Sequence, residues 1–296
     1  MAEAHLHLRP AGARRTVLGL QRAAEEWAIT LGEPYANVYP GNLVYPCTLA
    51  DGTPAVIKTE PQQSGDDEFI SGVAALMLYG GRGMARVIRF DAERRVLLME
   101  RVLPGEELWH LPIERALRAA ALVMSKLRAP PPRPHEFLDV RAFRRAWSGH
   151  VETYGGPGPI DADLFEIGER GFLEMCESSA NAVVLHGDLH YGNVLSSDRE
   201  EWLAIDPKGL IGEPCYEVGD LLRNRVDELF ETADAVAAMR RRVEMLADLT
   251  GLDRERVRLW GLSQAVLSEI WSTEERRVSR VDMRAARLLQ DIGPLG

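Results

Sequence analysis

The sequence predicts an α+β protein whose strands and helices are segregated along the chain, β-rich up to about Val102 and mostly helical after it. Three observations carry this. Before Val102, two pairs of β-branched and aromatic runs close on turn residues, as hairpins do. From Pro112 onward apolar residues recur at helical spacing. Within the helical half, the runs starting at Val183 and Trp202 are short, apolar and bounded by Gly and charged residues, so they read as small buried strands around a polar loop.

Taken in order, Arg14 to Leu31 carries Val17, Leu18, Leu20, Ala24, Trp27, Ala28 and Leu31 on one helical stripe ended by Gly32 and Pro34. It should pack against the outside of the β-rich segment that comes after it in the chain. Asn37 to Leu49 and Pro54 to Lys58 flank Asp51-Gly52, a hairpin pattern that leaves Lys58 at the end of its second strand. A helix is expected over Asp66 to Tyr79, its start marked by the capping run Ser64-Gly65-Asp66-Asp67-Glu68. Ser71, Gly72 and Ala75 follow Glu68 at helical spacing, a small-residue strip suited to close approach to the sheet. Ala85 to Phe90 alternates like a half-exposed strand, and Val96 to Glu100 is continuously apolar like a buried one. Pro112 opens a helix at its first helical position, and Ala129 to Pro134 must leave it because prolines cannot continue it. Further helices are expected over Val140 to Tyr154, Ala162 to Cys176, Tyr216 to Phe230, Ala233 to Thr250, Arg254 to Trp271 and Glu274 to Leu289.

Composition excludes several classes. A hydrophobic share of 46% beside 27% charged residues is that of a globular chain, and no run approaches the ~20 apolar residues of a membrane helix. A formal net charge of -10 argues against nucleic acid as partner and is compatible with a cationic one. The start Met1-Ala2-Glu3-Ala4-His5 has no basic-then-apolar signal pattern. Cys47, Cys176 and Cys215 are far apart and match no metal spacing. The expected setting is a reducing cytoplasm.

The polar loop carries the chemistry. In Val183-Val184-Leu185-His186-Gly187-Asp188-Leu189-His190-Tyr191-Gly192-Asn193, a carboxylate is followed five positions later by a carboxamide, and Asp206 ends the next apolar run. Asp-x4-Asn with a later strand-terminal Asp is the spacing by which protein kinases present a base and two magnesium ligands. Transferring a phosphoryl group asks for positioning, charge neutralisation and an acceptor for the proton of the attacking hydroxyl. Asp188 would take that proton; Asn193 and Asp206 offer hard oxygens of the kind magnesium prefers. An isolated Asp-x4-Asn is common in turns, and His186, Asp188 and His190 could alternatively gather a hydrolytic metal. No further His-rich stretch completes such a set.

His186-Gly187-Asp188-Leu189-His190-x-Gly192-Asn193 resembles the catalytic loop of aminoglycoside phosphotransferases. Ile205-Asp206-Pro207-Lys208-Gly209, Glu213-Pro214 and Leu221-Leu222-Arg223-Asn224 are similar to the streptomycin/hydroxyurea phosphotransferase branch, and the resemblance runs from about Val38 to about Trp271. It implies a two-lobed, protein-kinase-like fold: residues 1–102 a nucleotide-binding lobe with a leading helix, residues 103–296 a helical lobe holding the acceptor. It implies ATP and Mg2+ as cofactors and a small hydroxyl compound as acceptor, streptomycin-like or hydroxyurea-like. Lys58 would hold the phosphates and pair with Glu68; Glu100 to Val102 would be the hinge whose backbone meets adenine; Lys208 could touch phosphate or substrate. Glu217 stands where the family usually has aspartate, so either Glu217 or Asp220 would brace the loop. There is no G-x-G-x-x-G, and Pro40-Gly41-Asn42 is the one candidate for a phosphate-covering turn. Glu213, Glu217, Asp220, Glu269, Glu274, Glu275 and the aromatic face of Trp271 are candidates for holding a cationic acceptor. A kinase of another metabolite, or a nucleotide-binding module without turnover, are the alternatives. The expected state is monomer or dimer.

Overall fold

Period-two burial sets the first layer of the molecule. The computed structural model describes residues 10–36, 42–61, 67–274 and 280–295, with side chains from Thr16 onward. Strands β1 (Thr30–Leu31), β2 (Leu43–Thr48), β3 (Pro54–Thr59), β4 (Val87–Asp91) and β5 (Val96–Glu100) form one antiparallel sheet in the order β1-β2-β3-β5-β4. Helix α1 (Pro10–Glu26) covers one face, where Leu20 and Ala23 pack on Ala55, Ile57, Val96 and Leu98. The alternate residues Leu97 and Met99 cluster with Phe69, Val73 and Leu76 of α2 (Glu68–Tyr79) on the other face. Strand β5 is therefore buried on both sides, which is why it reads as an unbroken apolar run. Lys58 lies opposite Leu97 in the ladder and so stands on the α2 face.

Two boundaries move. Helix α1 stops at Glu26 rather than Leu31, because Ala28 turns left-handed (φ 53°) and Thr30–Leu31 pairs with β2. Helix α2 starts at Glu68, with the Asp67 carboxylate accepting the Ile70 N–H at 3.2 Å and Gly80 closing the far end (φ 57°).

The remainder is helical, built around α8 (Arg254–Glu274), whose buried face includes Trp260, Leu262, Val266 and Ile270. Around it lie α3 (Ile113–Lys126), α4 (Arg144–Tyr154), α5 (Ala162–Ser178), α6 (Gly219–Arg223), α7 (Ala235–Thr250) and α9 (Val281–Asp291). Pro112 is the residue before α3, extended (ψ 140°), one position earlier than expected. The helix expected over Tyr216 to Phe230 is broken into a 3-10 turn at Pro214–Val218, α6, and another at Val226–Glu231, with Arg225 left-handed between them (φ 55°). Two small sheets frame the polar loop. One has the order β10-β9-β6, from β6 (Pro104–Glu107), β9 (Val194–Ser197) and β10 (Trp202–Ala204). The other has the order β7-β11-β8, from β7 (Leu138–Asp139), β8 (Val183–Leu185) and β11 (Leu210–Gly212). The loop of Asp188 thus spans β8 to β9, and that of Asp206 spans β10 to β11. Among the described residues no helix is long and apolar enough to cross a membrane.

Candidate active site

The loop of Asp188 is clamped through its backbone. The N–H groups of His186 and Gly187 donate to the two carboxylate oxygens of Glu217, at 2.7 and 2.8 Å. Glu217 is 4% exposed, and burial pushes its carboxyl up to about 8 against the pull of those two donors. The buried His186 ring donates from Nε2 to the Ile205 carbonyl at 2.8 Å and accepts the Asp188 N–H on Nδ1 at 3.2 Å. Burial also lowers its pKa, so the ring stays neutral in the one tautomer both bonds allow. The His186 carbonyl accepts from the N–H groups of Lys208 and Gly209, at 2.8 and 3.1 Å. One histidine therefore joins the loop of Asp188 to that of Asp206.

Asn193 turns its amide nitrogen to the Asp188 carbonyl, at 2.9 Å. No hydrogen bond among the described residues falls on its Oδ1. Burial would raise the Asp188 carboxyl, but nearby positive charge, the Lys208 ammonium foremost, outweighs it and holds the group below its ordinary value. Lys208 stays charged although burial opposes it, because Asp188, Glu68 and Asp220 act on it. Its ammonium rests 5.6 Å from the centre of the Trp271 ring, which meets Phe143 edge-on at 5.3 Å.

Across from this loop, Lys58 pairs with Asp206 and with Glu60, the latter at 2.5 Å, and only 7% of its side chain is exposed. Burial works against the ammonium; the two carboxylates prevail and raise its pKa. Asp206 adopts a left-handed backbone (φ 59°), which aspartate tolerates better than most residues. Lys58, Glu60, Glu68 and Asp206 line one cleft whose apolar wall includes Phe69, Val73, Leu97 and Met99.

Helix α2 holds the Asp206 loop directly. The Ser71 hydroxyl donates to the Gly209 carbonyl and accepts the Leu138 N–H at 3.0 Å. A Cβ on Gly72 would lie 2.2 Å from the Pro207 carbonyl oxygen, and one on Gly209 (φ 71°) would lie 2.2 Å from that of Ser71. The small-residue strip expected to meet the sheet meets this loop instead. At the other end of α2 the Tyr79 hydroxyl donates to the Val184 carbonyl of β8.

Several predicted residues are placed otherwise than expected. The ion pair between Lys58 and Glu68 is not formed: Lys58 is satisfied by Asp206 and by Glu60, the residue just past its strand, and Glu68 is an exposed first-turn acid of α2. Glu217 lies beneath the loop and does not face an open acceptor site. Asp220 accepts from Arg223 Nε at 2.9 Å, and Arg223 also reaches Asp282 at 3.3 Å, so Asp220 serves the arginine and not the loop. Glu213 is buried against Arg256, whose Nε donates to it at 2.8 Å. The Trp271 ring carries Lys208. Glu269 keeps one carboxylate oxygen shielded and, among the described residues, without a hydrogen-bond partner; burial, then Asp282, pushes its pKa up to about 7. Glu274 is exposed, whereas Glu275, Asp66 and Pro40-Gly41 lie outside the described residues.

At the expected hinge, the Glu100 side chain accepts from Arg199 at 2.6 Å and from the Arg86 N–H at 2.9 Å, and its own N–H donates to the Arg86 carbonyl. Glu100 is thus committed away from the cleft. Val102 is buried, and among the described residues its N–H and C=O make no hydrogen bond. Sequence reasoning missed Glu60 and Arg199. The first had a signal, standing two residues after Lys58, where a continued strand would put it on the same face; the second, in the β9–β10 turn, had none.

The family described as aminoglycoside/hydroxyurea antibiotic resistance kinase matches residues 32–276. A hydroxyurea phosphotransferase of Kitasatospora aureofaciens is 33% identical over 97% of this chain and 83% of its own length. A streptomycin 6-kinase of Streptomyces glaucescens is 28% identical over 92% of this chain and 87% of its own. Among solved structures, a thermostable mutant of aminoglycoside phosphotransferase APH(4)-Ia, in ternary complex with ADP and hygromycin B, has a TM-score of 0.61 at 15% identity, covering 93% of this chain and 99% of that one. Choline kinase LicA from Streptococcus pneumoniae has a TM-score of 0.65 at 11% identity, covering 94% and 98%. The fold is that of these kinases.

Proposed function

From the premise that this chain belongs to the aminoglycoside/hydroxyurea antibiotic resistance kinase family, and so is a small-molecule phosphotransferase, we propose that it moves the γ-phosphoryl group of ATP to a hydroxyl of a cationic, streptomycin-like acceptor. The observation that carries this reading is the convergence of Asp188 and Asn193, Asp206, and Lys58 from three separate segments onto one cleft and its adjoining loop. Asp188, held ionised by Lys208, accepts the proton of the acceptor hydroxyl as its oxygen attacks the γ-phosphorus and the bond to the β-phosphate oxygen breaks, leaving ADP. Lys58 binds the phosphates. The free backbone groups of Val102 meet the adenine edge, and the division into a nucleotide lobe and an acceptor lobe falls there.

The residues present fit a magnesium ion. Asn193 has committed its nitrogen and left its oxygen, and the Asp206 carboxylate is 49% exposed beside the phosphate-binding lysine. These two would hold it, and it supplies charge neutralisation on the phosphates when bound.

With Glu213, Glu217 and Asp220 committed to internal partners, Glu269 and Glu274 are, among the described residues, the candidate acids left for a cationic acceptor. A screen of ATP turnover against streptomycin, other aminoglycosides, hydroxyurea and neutral sugars tests the reading. Turnover should be fastest with an aminoglycoside, and its Michaelis constant should rise several-fold from low to physiological salt, where screening sets in at about 8 Å. Turnover with neutral acceptors only, or a salt-independent Michaelis constant, removes the cationic acceptor and leaves the kinase reading standing.

A further inference from the structure

We propose that Glu60, and not Glu68, is the residue that positions Lys58 for the phosphates, an inference that rests on the phosphotransferase reading above. A buried ammonium needs a lasting counter-charge, because one left alone in a low-dielectric site is costly. Lys58 has two candidates. Asp206 is half-exposed and is also the carboxylate assigned to the metal, so its charge is shared when the site is loaded. Glu60 has no second duty: its side chain is 17% exposed, sits 2.5 Å from Lys58 Nζ, and projects from the same face of the same chain segment.

The backbone under Glu60 is pinned as well. Arg95 donates from Nε to the Glu60 carbonyl at 3.2 Å, pairs with Asp67 at 2.8 Å, and lies 4.8 Å over the Phe69 ring. One arginine therefore holds the end of β3 and the start of α2 at a fixed separation. Glu68, in contrast, is exposed one turn before Gly72, where α2 touches Pro207, and the cation it acts on is Lys208. In this chain the residue just past the strand supplies the carboxylate for the phosphate lysine, and the helix acid makes no ion pair with that lysine.

The test compares full-length variants by calorimetric titration with Mg-ATP and by steady-state kinetics. Glu60→Gln should weaken Mg-ATP binding about tenfold, with the Michaelis constant for ATP rising in step and turnover at saturating ATP changing less than about threefold. Glu60→Asp should recover most of the affinity, a rescue that a purely structural role for the side chain would not give. Glu68→Gln should fall short of the Glu60→Gln loss by about fivefold or more. If Glu60→Gln does not fold, the double variant Lys58→Met/Glu60→Gln should, because it removes both charges together; a double variant that also fails to fold counts against the pairing. An equal or larger loss in Glu68→Gln, or unchanged affinity in Glu60→Gln, overturns the proposal. A wild-type chain that binds no Mg-ATP overturns the phosphotransferase reading itself, a distinct result.

Discussion

The two halves of the site are held by different forces. Around Asp188 the restraint is backbone: Glu217 takes two amides, His186 bridges two loops, and Asn193 takes a carbonyl. Around Lys58 the restraint is charge between side chains, with Glu60 and Asp206 converging on one ammonium. Buried hydrogen bonds to backbone fix a loop in one geometry, because losing a partner leaves a polar group stranded. Charge pairs at the mouth of a cleft can be re-partitioned when a charged ligand enters, since the Asp206 carboxylate is half in water. The difference teaches that the loop of the proposed base is pre-set, whereas the proposed nucleotide side is held by contacts a ligand can exchange.

That contrast can be broken at either end. The largest effect is expected at Asp188→Asn: turnover should fall roughly 10²–10⁴-fold while ATP affinity survives, as measured by steady-state rates beside nucleotide titration. Near-normal turnover in a folded variant would remove the base assignment. Next, Asp206→Ala should abolish magnesium-dependent nucleotide binding, and Asn193→Ala should weaken it less because it removes no formal charge. Equal, magnesium-independent affinity in wild type and Asp206→Ala would count against both ligand assignments.

A smaller effect is expected where the halves touch. Gly72→Ala places a methyl 2.2 Å from the Pro207 carbonyl oxygen, so α2 or the Asp206 loop must shift. Such overpacking costs about 1–3 kcal/mol, and turnover should drop together with thermal stability; an unchanged melting temperature would show that the contact yields freely. The smallest effect concerns pH. The Glu217 carboxyl sits at about 8 in the fold, above its ordinary 4.5, so the neutral form belongs to the folded state. Its contribution to stability is complete below about 4.5 and is lost as pH rises through about 8. Between pH 7 and 9 the wild-type melting temperature should fall by roughly 2–4 °C more than that of Glu217→Gln. Parallel curves for the two proteins would refute the buried-acid account.

Much of this was legible in the residues because the signals are local. Asp188 and Asn193 share one loop, Asp206 lies just past a short apolar strand, and Lys58 is the last residue but one of another, so spacing and pattern were enough to single out all four as candidates. What was not legible depended on rotation in space. Whether Glu60 or Glu68 meets Lys58 turns on which carboxylate the tertiary packing brings within reach. The small strip of α2 makes a close approach, yet not to the sheet: its partner lies far along the chain, in the Asp206 loop. The helix expected over Tyr216 to Phe230 is interrupted at Arg225, which turns left-handed after Glu217 has met the loop of Asp188 and Asp220 has paired with Arg223. Strands β6, β7 and β11, of two to four residues, are too short to carry a period of their own.

The contact between Ser71 and Gly209 joins residues 138 positions apart, which bears on how the protein is made. As the chain leaves the ribosome, the five-stranded sheet and α2 emerge complete long before the loop that seats them. Until residues 207 to 209 are available, the Ser71 hydroxyl has only the Leu138 N–H as a partner and the small-residue face of α2 lacks its close contact with the Asp206 loop, and the loop closure that provides it is a long-range one. The nascent N-terminal part thus lacks the contact that ties α2 to the Asp206 loop, and Lys58 and Asp206 come together only after about two thirds of the chain has been synthesised.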